Sequence, residues 1–190
     1  ASIGEIGKYT INSEINTFGL GSVTVKANSS VTNVSLDSDD LEIIRKQDFV
    51  KNAIPLMANF GKITVQESVE NCIMWGIDNS ADLVISLDTV YGRLIGNDDI
   101  KNHAKTCIID TGLAQQLYKR TNVVGKQITL TINNKTDTFT IVVVASAGGN
   151  LLQSVVGNIV PMFVYLPYTT MQDLLGKSTF DQIAVKFDQS

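Results

Sequence analysis

A chain of 190 residues and 20.6 kDa, 44% hydrophobic and 18% charged, is long enough for one sizeable core or two small ones. Fifteen Lys and Arg against nineteen Asp and Glu give a formal charge of −4, which speaks against a general nucleic-acid or polybasic membrane role, and the apolar content excludes disorder. Two Cys and one His rule out a disulfide framework and leave little for a zinc site.

In chain order, the spacing of Ile11, Ile15 and Phe18 predicts a short helix over Lys8–Thr17, stopped at Gly19-Leu20-Gly21. Ser22–Ala27 alternates as a strand. Asp39–Lys46 reads as a helix, acidic at its start and basic at its end, the order the helix dipole favours. Phe49–Ala53 reads as an extended segment leading to Pro55. Leu56–Gln66 and Ser68–Ile77 form an antiparallel pair, with a bend or turn near Gly61-Lys62. Ala81–Leu87 fits a short helix or an apolar surface segment.

The second half opens with a strand at Thr106–Asp110 and a helix at Thr111–Tyr118. Val124–Ile132 and Thr138–Ala145 read as a hairpin across Asn133–Asp137. Gly148-Gly149-Asn150 begins a loop carrying Leu151, Leu152, Val155 and Val156, read either as core or as an apolar contact surface. Pro161–Pro167 is a strand, Thr169–Leu175 a helix and Gln182–Phe187 a final strand, so the class is α+β. No stretch nears the roughly 20 apolar residues of a membrane span. The start ASIGEIGKYT lacks a signal-peptide layout and reads as though cut from something longer.

Catalytic and ligand motifs are sparse, and neither a catalytic residue nor a cofactor nor a metal is expected. His103 reads as an ordinary exposed side chain, and there is no G-x-S-x-G elbow. Cys72 and Cys107 read as small buried hydrophobes, able to form a disulfide only if their strands are neighbours. Asp37, Asp39 and Asp40 lack the Gly and Glu of a calcium loop and fit helix capping better; Asp98 and Asp99 also read as caps. Lys119-Arg120 and Arg45-Lys46 are too isolated for a phosphate track.

The order of weak motifs is more informative. SIGEIGKYTINSEINTFGLGSVTV, Leu36–Asp40, Trp75-Gly76-Ile77-Asp78, Gly92-Arg93 followed by Asp98 and Asp99, Cys107–Tyr118, Asn122–Ile128, and Val164–Pro167 with the helix from Thr169 run colinearly over nearly the whole chain. In this order they resemble the extracytoplasmic periplasmic core domain of MacB-like and FtsX-like ABC transporter permeases. Phe18-Gly19-Leu20-Gly21 and Ala145 depart modestly from the family pattern.

The resemblance implies a discontinuous porter-like α+β subdomain over 1–87 and 161–190, with a smaller mixed α/β subdomain inserted at 88–160. It implies a non-enzymatic module displayed outside the membrane. Its partners would be a cytoplasmic ABC ATPase reached through the permease and a second permease subunit. A peptide, lipoprotein or drug substrate and an accessory protein complete the set, with no nucleic acid. Gly92 and Arg93 are then structural candidates at the passage between subdomains, Gly125 at the hairpin approach and Pro167 at the strand-to-helix exit. A peptide-sensing module using Leu151–Val160, and a plain assembly domain, stay open as alternatives.

Overall fold

The longest element, β3 (Val50–Val65), runs for sixteen residues, about 50 Å at strand rise. Its first part pairs antiparallel with β10 (Gln182–Phe187) and its second with β4 (Ser68–Ile77). Pro55, which has no N–H to donate, sits one residue before the last β10 partner, Leu56, where β3 changes neighbours. The chain here is a computed structural model that describes residues 11–12, 22–27, 36–80, 88–146 and 162–188.

Five further strand pairings close the sheet on itself. β4 pairs with β9 (Phe163–Pro167), β9 with β6 (Thr106–Asp110), and β6 with β8 (Lys135–Ser146). β8 pairs with β7 (Gln127–Ile132), and β7 returns to β3 at Lys62–Thr64. These six strands make a barrel. Alternate residues fill it: Ile63, Met74, Ile109, Leu130, Phe139 and Val164 belong to one buried cluster, as period-two strands around a closed interior require. Two helices add to that cluster, α3 (Thr111–Tyr118) through Leu113 and Ala114, and α4 (Tyr168–Leu175) through Met171 and Leu174.

Outside the barrel, β10 is flanked by β3 and by β2 (Ser22–Ala27), with β1 (Ile11–Asn12) beyond it. α1 (Ser38–Arg45) covers this wing with Leu41 and Ile44 against Ala53, Ile183 and Val185. Asp37 begins α1 as expected: its carboxylate accepts the N–H groups of Asp39 and Asp40 at 3.0 and 3.1 Å, and Asp40 accepts the N–H of Asp37 at 2.9 Å. At the far end of the sheet, β5 (Asp88–Gly92) lies on β8, followed by α2 (Asn97–Lys101).

Several expectations are corrected. Ile11–Asn12 is a strand on β2, not part of a helix; the β-branched Ile11 meets an available strand edge there, and the rest of that expected helix lies outside the described residues. The extended segment before Pro55 and the strand after it are one element. Gly61 does not turn the chain: a Cβ there would come within 2.6 Å of Met74 Cε and of the Thr131 carbonyl oxygen, so the glycine permits β7 to approach β3. The β7–β8 hairpin turns over two residues, Asn133 and Asn134 at φ 48° and 65°, rather than across Asn133–Asp137. Two positive φ values match the twist of a type I′ turn, and asparagine tolerates them.

The expected segment boundaries, 87/88 and 160/161, have undescribed residues on at least one side. Strands from both segments share the barrel, since β6 pairs with β9 and β7 with β3. The segments Ala81–Leu87 and 147–161, including Leu151, Leu152, Val155 and Val156, lie outside the described residues.

Candidate functional site

The polar side chains tied most closely together near the β5 end of the sheet surround Asp99. Gly92 ends β5 at φ +92°, and a Cβ there would fall 2.0 Å from the Val142 carbonyl oxygen of β8, so only glycine fits. The next residue, Arg93, donates its backbone N–H to that same oxygen at 3.1 Å. Its guanidinium then grips Asp99 of α2 with two bonds, Nη1 to Oδ2 at 2.7 Å and Nη2 to Oδ1 at 3.2 Å. Asp99 also accepts the Gly96 N–H at 2.8 Å and the Thr106 hydroxyl at 3.2 Å. One buried carboxylate thus joins β5, the start of α2 and the start of β6.

Burial alone would raise the Asp99 carboxyl. The Arg93 hydrogen bonds and the Gly96 N–H outweigh it and hold the group below the ordinary aspartate value. A depressed folded value contributes stability that is present above the unfolded pKa and lost as pH falls through the folded one. Asp99→Asn is therefore expected to cost about 1–3 kcal/mol at neutral pH. The gap to the native chain should close as urea midpoints are taken below about pH 4.

A second joint connects α4 to the turn after α2. The Thr169 hydroxyl donates to the Ile100 carbonyl and the Thr170 hydroxyl to the Ala104 carbonyl, each at 2.6 Å. His103 Nδ1 lies 2.7 Å from Asp173 Oδ2 at the surface. Beside this joint a cleft of about 480 Å³ is edged by that pair and by Lys105 with Asp137, 2.6 Å apart. Pro167 ends β9 and precedes α4 at φ −55°, a value its ring favours. Gly125, at φ +92° with open space where a Cβ would stand, donates its N–H to the Ile141 carbonyl at 2.8 Å.

Cys72 and Cys107 are buried free thiols on β4 and β6. These strands are not neighbours, because β9 runs between them. Burial pushes the Cys72 thiol up to about 12 and moves Cys107 in the same direction. Alkylation by iodoacetamide at pH 8 is accordingly expected to proceed at the rate of unfolding, as a urea series would reveal. Reaction at a free-thiol rate in the native protein would contradict the burial.

Among the described residues no helix is long and apolar enough to cross a membrane. The structure brings Gly92 and Arg93 together with Asp99, while Gly125 and Pro167 stand at separate turns. Sequence reasoning placed Asp99 as a cap and missed its ion pair. The Thr169 and Thr170 joints carried no sequence signal, since their carbonyl partners lie more than sixty residues away.

The family described as MacB-like periplasmic core domain matches residues 1–190. The chain is 28% identical over 153 residues to the Macrolide export ATP-binding/permease protein MacB of Neisseria gonorrhoeae, covering 80% of this chain and 22% of that protein. It is 30% identical over 191 residues to the protein of the same name from Campylobacter fetus subsp. fetus, covering 93% and 27%. The chain thus spans about a quarter of the length of these curated relatives. The periplasmic region of MacB from Actinobacillus actinomycetemcomitans superposes with a TM-score of 0.71 at 20% identity, covering 90% of this chain and 77% of that one. The extracellular domain of the ABC-type transporter YknZ from Gram-positive bacteria gives 0.68 at 17%, covering 85% and 78%. At these identities the two structures share the fold.

Proposed function

Because the chain belongs to the MacB-like periplasmic core domain family, we propose that it is the rigid extracytoplasmic lever of an ABC transporter permease. As a periplasmic core domain it stands outside the membrane and is not the ATPase. In our reading, ATP hydrolysis in the cytoplasm moves paired permease subunits, and this domain carries the motion to a substrate that is exported or extracted outside the membrane.

One observation supports the reading most. β3 belongs to both parts of the fold, pairing with the final strand β10 over its first half and with β4 and β7 of the closed barrel over its second. β10 is itself held on both sides. Displacement of β10 therefore loads β3 directly, and a closed barrel has no free seam at which that load is lost.

In this reading 1–87 with 161–190 form the porter-like part and 88–160 the insertion, joined along the β9–β6 and β3–β7 pairings. Gly92 and Arg93 brace the insertion, Gly125 sets the approach to β7 and Pro167 sets the exit into α4. The partners are a cytoplasmic ABC ATPase and a second permease subunit. The cargo is a peptide, lipoprotein or drug.

The test uses the full-length permease reconstituted with its ATPase, with an engineered cross-link clamping the two displayed domains together. Transport and its coupling to ATP hydrolysis are expected to fall. Undiminished coupled transport would overturn the proposal.

A further inference from the structure

The charge of the chain is unevenly placed. Residues 88–160 carry seven basic and five acidic side chains, whereas the rest carries eight basic and fourteen acidic. Within the basic part, Arg93 is held by Asp99 and Lys105 by Asp137. Lys119, Arg120 and Lys126 are exposed, make no ion pair among the described residues, and have no carboxylate in the stretch 111–127 that contains them. The fold keeps them close: Lys119 and Arg120 follow α3, and the Tyr118 hydroxyl donates to the Gln127 carbonyl at 2.9 Å, next to Lys126.

Val124, 40% exposed, stands between these cations in sequence and lies against β5, its Cγ2 3.1 Å from where a Gly92 Cβ would be. Val90 and Leu94, on either side of Gly92, are 46% and 37% exposed. β8 fixes the two stretches side by side, because Arg93 bonds to Val142 and Gly125 to Ile141. An aliphatic centre with a cationic rim is the anatomy of a protein interface.

We propose that Val90, Leu94 and Val124, rimmed by Lys119, Arg120 and Lys126, form a docking surface for an acidic segment of a separate extracytoplasmic protein that carries aliphatic side chains among its carboxylates. Charge complementarity selects the acidic partner. The aliphatic centre and the small number of cations, fewer than the roughly four to eight basic residues of a lipid-headgroup site, select a protein over a lipid surface. The surface needs only a domain displayed outside the membrane, so it stands even if the lever does not transmit motion.

The test places a photoreactive group in the full-length permease in intact cells, as Val124→p-benzoylphenylalanine, and sequences what becomes attached. The expected adduct is a segment of another polypeptide with carboxylates flanking an aliphatic residue. Its yield should fall about tenfold in K119E/R120E/K126E and hold in the charge-matched K46E/K51E/K62E on other elements. Attachment to lipid, to the permease's own sequence or to a segment without carboxylates would overturn the proposal. So would no adduct, or equal yields in the two charge-reversed forms.

Discussion

Gly92→Ala is expected to destabilise the domain by about 3–5 kcal/mol. Two independent penalties coincide at this position. The backbone sits at φ +92°, where an L side chain is strained, and the new Cβ would come 2.0 Å from the Val142 carbonyl oxygen. That oxygen also accepts the Arg93 N–H, so the strand cannot retreat without losing its bond. Gly125→Ala separates the two effects, because φ is again +92° but nothing lies within 4 Å. Its cost should be only the conformational part, about 1–2 kcal/mol. Urea midpoints of the two variants measure the difference, and equal losses would contradict the close approach of β5 to β8.

Phe139→Ala should cost about 3–5 kcal/mol, the range for truncating a large buried aromatic. Phe139 is 1% exposed and faces the barrel interior with residues from the other strands. Phe60→Ala removes the same atoms from a side chain that is 79% exposed on the outer face of β3. It should change stability by less than about 0.5 kcal/mol. The pair asks whether the interior of the ring is the packed centre. If the two losses matched, the barrel would not be the core.

What was legible in the sequence was local. Thr106–Asp110 and Thr111–Tyr118 have the bounds expected from their residues, and Asp110 caps the helix by accepting the Leu113 N–H at 2.6 Å. The final strand likewise matches its expected ends. Errors came where a residue that usually punctuates the chain serves a distant neighbour instead. Pro55 lies inside β3 because the strand changes partner there, and Gly61 because Met74 and Thr131 come close. Closure of the barrel depends on β3 meeting β7 and β9 meeting β6, pairings between residues tens of positions apart that periodicity does not encode. For the candidate site, the Gly92-Arg93…Asp99 spacing was visible as a family motif, but the bidentate grip was not. The patch around Val124 was invisible, since it exists only where β8 aligns two separate segments.

The lever claim has a direct measurement: spin-label distances in the full-length permease, between nucleotide-free and ATP-bound states. A nitroxide at Phe60→Cys in each of two subunits reports motion between domains. A pair at Gln66→Cys and Asp188→Cys reports motion within one, from the β3–β4 turn to the residue after β10; Cys72 and Cys107 are buried from the label. The account predicts that the distance between subunits changes with nucleotide while the one within the domain stays fixed. A static distance between subunits, or a change within the domain, would contradict it.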